Sequence, residues 1–258
     1  MSTVLYKSPV FGPVHSRRLG VSLGINLMPG DGKVCTFDCI YCECGLNADH
    51  RPSEPVPTRS QVAAALDAQL QTMAAEGVLP DVLTFAGNGE PTCHPDFAGV
   101  ISDTIALRNK YCPAAKVCVL SNSTMIHKPA VREALMKVDD NILKLDTVNP
   151  AYISMVDRPH AGYSVDKTVE LMKLFNGHLM LQTIFMTGEY RGVSVDNTGE
   201  EYVGLWLDVV KQLHPQKVMV YTIDRETPVQ GLQKASRGQL DAIRDRVLAM
   251  GIDCSASY

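Results

Sequence analysis

Of the eight cysteines in this 258-residue chain, four stand close together, at Cys35, Cys39, Cys42 and Cys44. Cys93, Cys112, Cys118 and Cys254 are scattered and show no metal spacing. Thiols gathered this closely in a reducing compartment read as metal ligands or redox groups. The pattern C-x3-C-x2-C lets one loop wrap a compact object with three sulfurs. A cubane 4Fe–4S cluster usually takes four thiolates. Three leave one iron open, and an open corner can chelate a small ligand through an amine and a carboxylate. Zinc is the competing reading, because a closed structural site takes four ligands and Cys44 offers the fourth. Zinc sites, however, usually draw pairs of ligands from separated segments, and four cysteines in so short a run would close into a strained knot.

Other polar residues follow apolar runs. Gly87, Asn88, Gly89 and Glu90 form one such segment. Its glycines let backbone approach a ligand closely, and Glu90 offers a carboxylate to an ammonium group, unless the segment is only a turn with a solvated side chain. Ser121 and Asn122 end another run, with Asn122 either at the site or capping a loop. Lys144, Asp146 and Thr147 end a third. Cys93, three residues after Glu90, is either a hydrogen-atom donor or extra ligand in a reaction chamber, or a buried thiol acting as a small hydrophobe. Arg17 and Arg18 can neutralise a cluster, a carboxylate or a phosphate, or make a structural salt bridge. Arg158, Pro159 and His160 either face a substrate or form a surface turn.

These residues need elements to position them. Apolar, β-branched runs predict strands over Ser22–Met28, Asp81–Ala86, Lys116–Leu120, Asn141–Leu145, His178–Met186 and Lys217–Ile223. Helical periodicity lies between them. The first helix carries Val62, Ala65, Leu66, Leu70 and Met73 behind the capping-box pair Thr58 and Gln61. Others run from about Pro95 to Lys110, from Pro129, from Ser164 to Phe175 and from near Thr198. The last starts at Ser236 with Gln239 three residues on. Six βα units without hairpin signals predict a parallel sheet covered on both faces. Six units fall short of a full eight-stranded barrel, so the expected fold is α/β, a partial (β/α)6 TIM-type barrel. A doubly wound open sheet is the rival. Either places the site at the C-terminal ends of the strands. The chain is expected to form a single core domain over 1–258. Loops over 30–58 (with Pro-rich Asn47–Arg59) and Thr187–Asn197 lie on the functional side.

Composition bounds the function. The net charge of −4 argues against a broad nucleic-acid footprint. No long apolar run predicts a membrane span, and no signal peptide is evident, so a cytoplasmic setting is expected.

The spacing of Cys35, Cys39 and Cys42, with Tyr41 before the third cysteine, resembles the radical S-adenosylmethionine superfamily. The flanks resemble its wyosine-synthase-like branch. They are the segment from Gly12 through Pro13, Val14, His15, Ser16, Arg17, Arg18 and Leu19 to Gly20, then Ser22–Ile25, Gly87–Thr92, and His94 with Pro95. The resemblance implies a 4Fe–4S cluster on the three cysteines and S-adenosylmethionine on the open iron. It implies reductive cleavage to methionine and a 5′-deoxyadenosyl radical that abstracts hydrogen from a substrate. It assigns Gly87, Asn88, Gly89 and Glu90 to the methionyl amino group, Asn122 and Asp146 to the ribose or carboxylate, and Ile223 and Tyr41 to the adenine. It also implies an external one-electron donor of flavodoxin or ferredoxin type. The substrate stays open between a small molecule, a peptide and a partner protein activated by a glycyl radical. Transfer-RNA modification of the wyosine type is less favoured, because no cysteines for a second cluster precede Cys35 and the chain is not basic.

Overall fold

The computed structural model of the protein describes residues 3–16 and 20–258. Arg17 and Arg18 lie outside the described residues. In chain order the strands and helices are β1 (Val10–Ser16), β2 (Gly20–Ile25), α1 (Arg59–Glu76), β3 (Val82–Phe85), α2 (Phe97–Tyr111), β4 (Lys116–Ser121), α3 (Pro129–Leu135) and β5 (Asp140–Lys144). There follow α4 (Pro150–Val156), α5 (Val165–Lys173), β6 (Met180–Ile184), β7 (Met186–Tyr190), β8 (Val193–Ser194), α6 (Glu200–Leu213), β9 (Lys217–Tyr221), β10 (Leu232–Lys234), α7 (Arg237–Ala249) and β11 (Asp253–Ser257).

The main sheet is ordered β1-β2-β3-β4-β5-β6-β9-β11. Every pairing from β2 to β11 is parallel. All six expected strands are present in the expected α/β alternation. Both expected capping boxes are formed, by Thr58 with Gln61 and by Ser236 with Gln239. The sixth helix differs, since its cap is Gly199 with no side-chain bond. Thr198 is held instead by Asp196 and Gln239.

Three features correct the sequence-based expectation. β1 pairs antiparallel with β2, with an irregularity between Phe11 and Val14. Pro13 falls there, and an edge strand tolerates a proline that a central one does not. β11 extends the parallel sheet, yet its Asp253, Cys254, Ser255, Ala256 and Ser257 carry no apolar run to announce it. Residues 187–197, expected to be a loop, include the β7–β8 hairpin, which joins β10 in a small antiparallel sheet. Its turn residues Arg191 and Gly192 both have positive φ (53° and 76°), the backbone a tight two-residue hairpin requires.

Successive side chains of a strand point to opposite faces. Leu23, Ile25, Leu83, Phe85, Val117, Val119, Leu143, Leu181, Val218 and Val220 join the core beneath the helices. The opposite face is less apolar than expected. Ser22, Gly24, Thr84, Leu120, Ile142, Gln182, Ile184, Met219 and Tyr221 line a concave cavity of about 570 Å³. Ser22 and Thr84 hydrogen-bond between the neighbouring strands β2 and β3 of its wall at 2.8 Å. Val82, Cys118, Ile142 and Met219 pack together on this same face. Gly24 leaves room for the Phe11 ring, since a Cβ there would lie 2.2 Å from Phe11 Cζ. The edge strand β1 therefore supplies part of the cavity wall.

Candidate functional site

The loop after β2 carries the clustered cysteines, and main-chain bonds from distant segments hold it in place. Val34 donates to Asn88 O (3.0 Å), and Glu90 donates to Val34 O (3.0 Å). Asp38 N donates to the carbonyls of Asp157 and Arg158, Ile40 N to Val156 O, and His160 N to Thr36 O. Val4 N donates to Glu43 O, which ties the start of the chain to the same loop. Gly89 makes the first of these joints possible. Its φ is +133°, and a Cβ there would sit 1.8 Å from Val34 O.

Cys35, Cys39 and Cys42 lie within electrostatic range of one another and of one ammonium group, that of Lys33. Lys33 is 4% exposed. Its Nζ donates to Gly45 O (2.6 Å) and to Cys42. Burial lowers its pKa, but the fields of Cys42, Cys35 and Cys39 hold it above the ordinary lysine value. The thiols respond unequally. The Cys44 S–H donates to Cys42, and with Lys33 it outweighs burial, so that Cys42 falls to about 6. Burial pushes Cys35 up to about 12, and Glu90 adds to the rise. Burial also raises Cys39. Asn122 Nδ2 lies 3.5 Å from Cys35 Sγ and donates to Thr36 Oγ1 at 2.9 Å. Cys44 Sγ also lies 3.4 Å from Gly87 O.

Beside Cys39 lies a buried charge network. Lys144 Nζ contacts Asp146 Oδ2 (2.9 Å) and Asp157 Oδ1 (2.5 Å). Tyr41 donates to Asp146 and, at 3.3 Å, to Asp157. Cys39 Sγ lies 3.6 Å from Asp157 Oδ1. Burial lifts the Asp157 carboxyl to about 6, against the pull of Lys144. Lys144→Met would leave two buried carboxylates facing each other, at a cost of about 3–5 kcal/mol. Urea unfolding should show that loss, and an unchanged midpoint with unchanged slope would contradict it.

The sequence-expected site residues divide into two groups. Tyr41, Cys42, Gly87 and Ile223 line the cavity, with Cys44, Tyr221, Asp224 and Arg225. Other members stand behind its wall. The Asn88 side chain is fully buried and donates to Tyr6 O and Pro29 O, both at 2.8 Å. The Glu90 carboxylate accepts from Thr92 N (3.0 Å), Thr92 Oγ1, Ser121 Oγ (2.8 Å) and Asn122 N (2.6 Å). It thus joins the ends of β3 and β4, with its own pKa raised by burial. The Asp146 side chain is wholly enclosed and also accepts from Ile184 N at 3.2 Å. Cys93 is carried by a short 3-10 turn to the helix side, where it packs against the main core. Its thiol also hydrogen-bonds with Thr36, the neighbour of Cys35. Arg158 pairs with Asp38 of the cysteine loop at 3.1 Å. Lys33, Asp157 and Tyr6 were not singled out from sequence. Asp157 stands 118 residues from Cys39, so only the fold reveals the contact. Lys33, by contrast, stands two residues before Cys35 in full view.

The fold is the partial α/β barrel of radical S-adenosylmethionine enzymes. A radical SAM methyltransferase from Sphaerobacter thermophilus superposes with a TM-score of 0.66 at 13% identity, covering 92% of this chain and 66% of that one. Streptococcus suis SuiB, solved bound to S-adenosylmethionine, superposes with a TM-score of 0.64 at 16% identity, covering 91% of this chain and 50% of that one. At these identities the likeness is one of fold. No model of a known protein family matches the chain. In sequence it is similar to a UPF0026 protein of Helicobacter pylori, with 30% identity over 223 residues. That match takes in 84% of this chain and 66% of the relative, so the chain spans just under two thirds of that protein's length. Among the described residues no helix is long and apolar enough to cross a membrane.

Proposed function

We propose that this chain is the core of a radical S-adenosylmethionine enzyme, with Cys35, Cys39 and Cys42 as the ligands of a 4Fe–4S cluster. One observation carries the reading. Three thiols of a single loop lie within electrostatic range of one buried ammonium at the C-terminal mouth of a parallel partial barrel. The donor set fits such a group. Cys39 is buried, Cys35 and Cys42 are half-buried, and a positive charge stands ready to balance thiolates. Among the described residues no three His, Cys, Asp or Glu side chains converge on one metal ion. A cubane, which spreads its ligands over separate irons, does not need that convergence.

When bound, the cluster would supply one electron to S-adenosylmethionine and so generate the 5′-deoxyadenosyl radical that abstracts hydrogen from substrate. The protein's part is to position and to exclude water. Tyr41 and Ile223 flank the cavity beside Cys42 and suit an adenine ring. Gly87 presents bare backbone there and suits close approach by the methionyl end. Glu90 and Asn122 hold that backbone against the cysteine loop, and Asp146 fixes Tyr41. The motifs around Gly12–Gly20 and Gly87–Thr92 support placement in the wyosine-synthase-like branch. The net charge of −4 favours a small molecule, peptide or partner protein over transfer RNA as substrate. SuiB has also been solved with a precursor peptide, SuiA, which supports a peptide among these. The electron would come from a donor of flavodoxin or ferredoxin type.

Anaerobic reconstitution followed by iron, sulfide and zinc analysis tests this reading. About four irons and four sulfides per chain, with 5′-deoxyadenosine released under reductant, are expected. One zinc and no iron would end it.

A further inference from the structure

Two buried lysines approach the cysteines, and they differ in what else they touch. Lys144, near Cys39, is bound on both sides by Asp146 and Asp157. Its ammonium is already paired with carboxyl groups. Lys33 has no carboxylate within ion-pairing distance among the described residues. Its neighbours are Gly45 O at 2.6 Å, Cys42 by hydrogen bond, and Cys35 and Cys39 through space. The carbonyl it grips belongs to a glycine in left-handed conformation (φ +81°), which turns the chain back just after Cys42. The Lys33 N–H is itself bonded to His50 O at 2.7 Å. Both ends of the residue are therefore anchored, and the ammonium cannot swing out to water.

An isolated ammonium in a dry site is costly unless an anion accompanies it. Among the described residues, the groups that can supply that anion to Lys33 are the thiols of Cys42, Cys35 and Cys39 and whatever they hold.

We propose that Lys33 tunes the reduction potential of the cluster: its buried ammonium stabilises the negative charge that one-electron reduction adds, so the reduced state is reached at a higher potential than the three cysteines alone would allow. This rests on the radical-enzyme reading above. In the step concerned, one electron passes from the reductant, dithionite in the test, to the cluster. No bond forms or breaks, and the site becomes more negative by one charge. Lys33 stays protonated throughout and acts through its field. The described contacts of its ammonium are with Gly45 and the cysteines, so it is a positioning and tuning residue, not a catalytic one.

The test reconstitutes the parent, Lys33→Met, Lys33→Gln and Lys33→Arg anaerobically. It measures iron and sulfide, then titrates each with reductant while following the reduced cluster by electron paramagnetic resonance. The neutral variants should load iron like the parent and give a more negative midpoint potential. Lys33→Arg should stay near the parent. A neutral variant that loads fully and titrates at the parent's potential overturns the proposal. If neither neutral variant holds iron, Lys33→Arg decides. Iron binding restored by arginine upholds a requirement for charge. An arginine variant that is folded by circular dichroism yet still iron-free makes the role steric, and the proposal falls. A parent that binds zinc in place of iron refutes the underlying enzyme reading instead, and the iron analysis separates that case before any potential is measured.

Discussion

Cys39→Ala should leave a folded protein that holds no stable cluster: iron falls far below the about four per chain of a loaded site, and 5′-deoxyadenosine release under reductant drops to background. Cys39 is 8% exposed, lies at the centre of the loop and shares its surroundings with Asp157 and Lys144. Its removal takes one of three anchors, and two thiolates cannot hold a cubane with an open corner. Cys44→Ala makes the contrast. Under the zinc reading Cys44 is the fourth ligand and its loss empties the site. Under the cluster reading the iron content survives, because Cys44 is a hydrogen-bond donor to Cys42 and not an anchor. Equal loss of metal in both variants, or unchanged product release from Cys39→Ala, would defeat the assignment.

Gly89→Ala should damage the site as severely from outside it. The new methyl would lie 1.8 Å from the Val34 carbonyl oxygen, and φ of +133° is a backbone that alanine resists. Neither atom can yield cheaply, since the oxygen belongs to main chain and the Cβ is held rigidly by it. The bonds from Val34 N to Asn88 O and from Glu90 N to Val34 O must break. The expected cost is about 3 kcal/mol or more from strain and lost pairing together, with poor iron loading. Gly162→Ala is the control. Its φ is +90°, but nothing stands within 4 Å of the added atom, so it carries the backbone strain of about 1–3 kcal/mol without loss of iron. Thermal melts with iron analysis on both variants separate collision from strain. Equal iron loading in the two would refute the argument.

What could be read from sequence followed the physics of local patterns. The parallel strands that carry apolar runs were legible, and so were the helices announced by Thr58 with Gln61 and Ser236 with Gln239. β11 was not, because a strand of small polar residues at a sheet edge carries no hydrophobic signature. β1 was hidden by Pro13, which argues against a central strand but is tolerated at an edge. In the candidate site, the gathering of the three cysteines was legible because their spacing is local. The tasks of Glu90, Asn88 and Asp146 were less so. The sequence presents them as polar groups after apolar runs, free to meet a ligand, and only the fold shows their side chains already committed to the protein. The network of Tyr41, Lys144, Asp146 and Asp157 joins positions far apart in the chain, where periodicity has no reach.

The cysteine segment is consequently not a portable cassette. Its shape is borrowed from the ends of β3 and β4, from the stretch that follows α4 and from the residues that precede β1. A synthetic peptide spanning 30–58 would carry every sulfur and the lysine, yet none of the carbonyls and amides that aim them. Transplanting the chemistry into another scaffold means transplanting the frame as well.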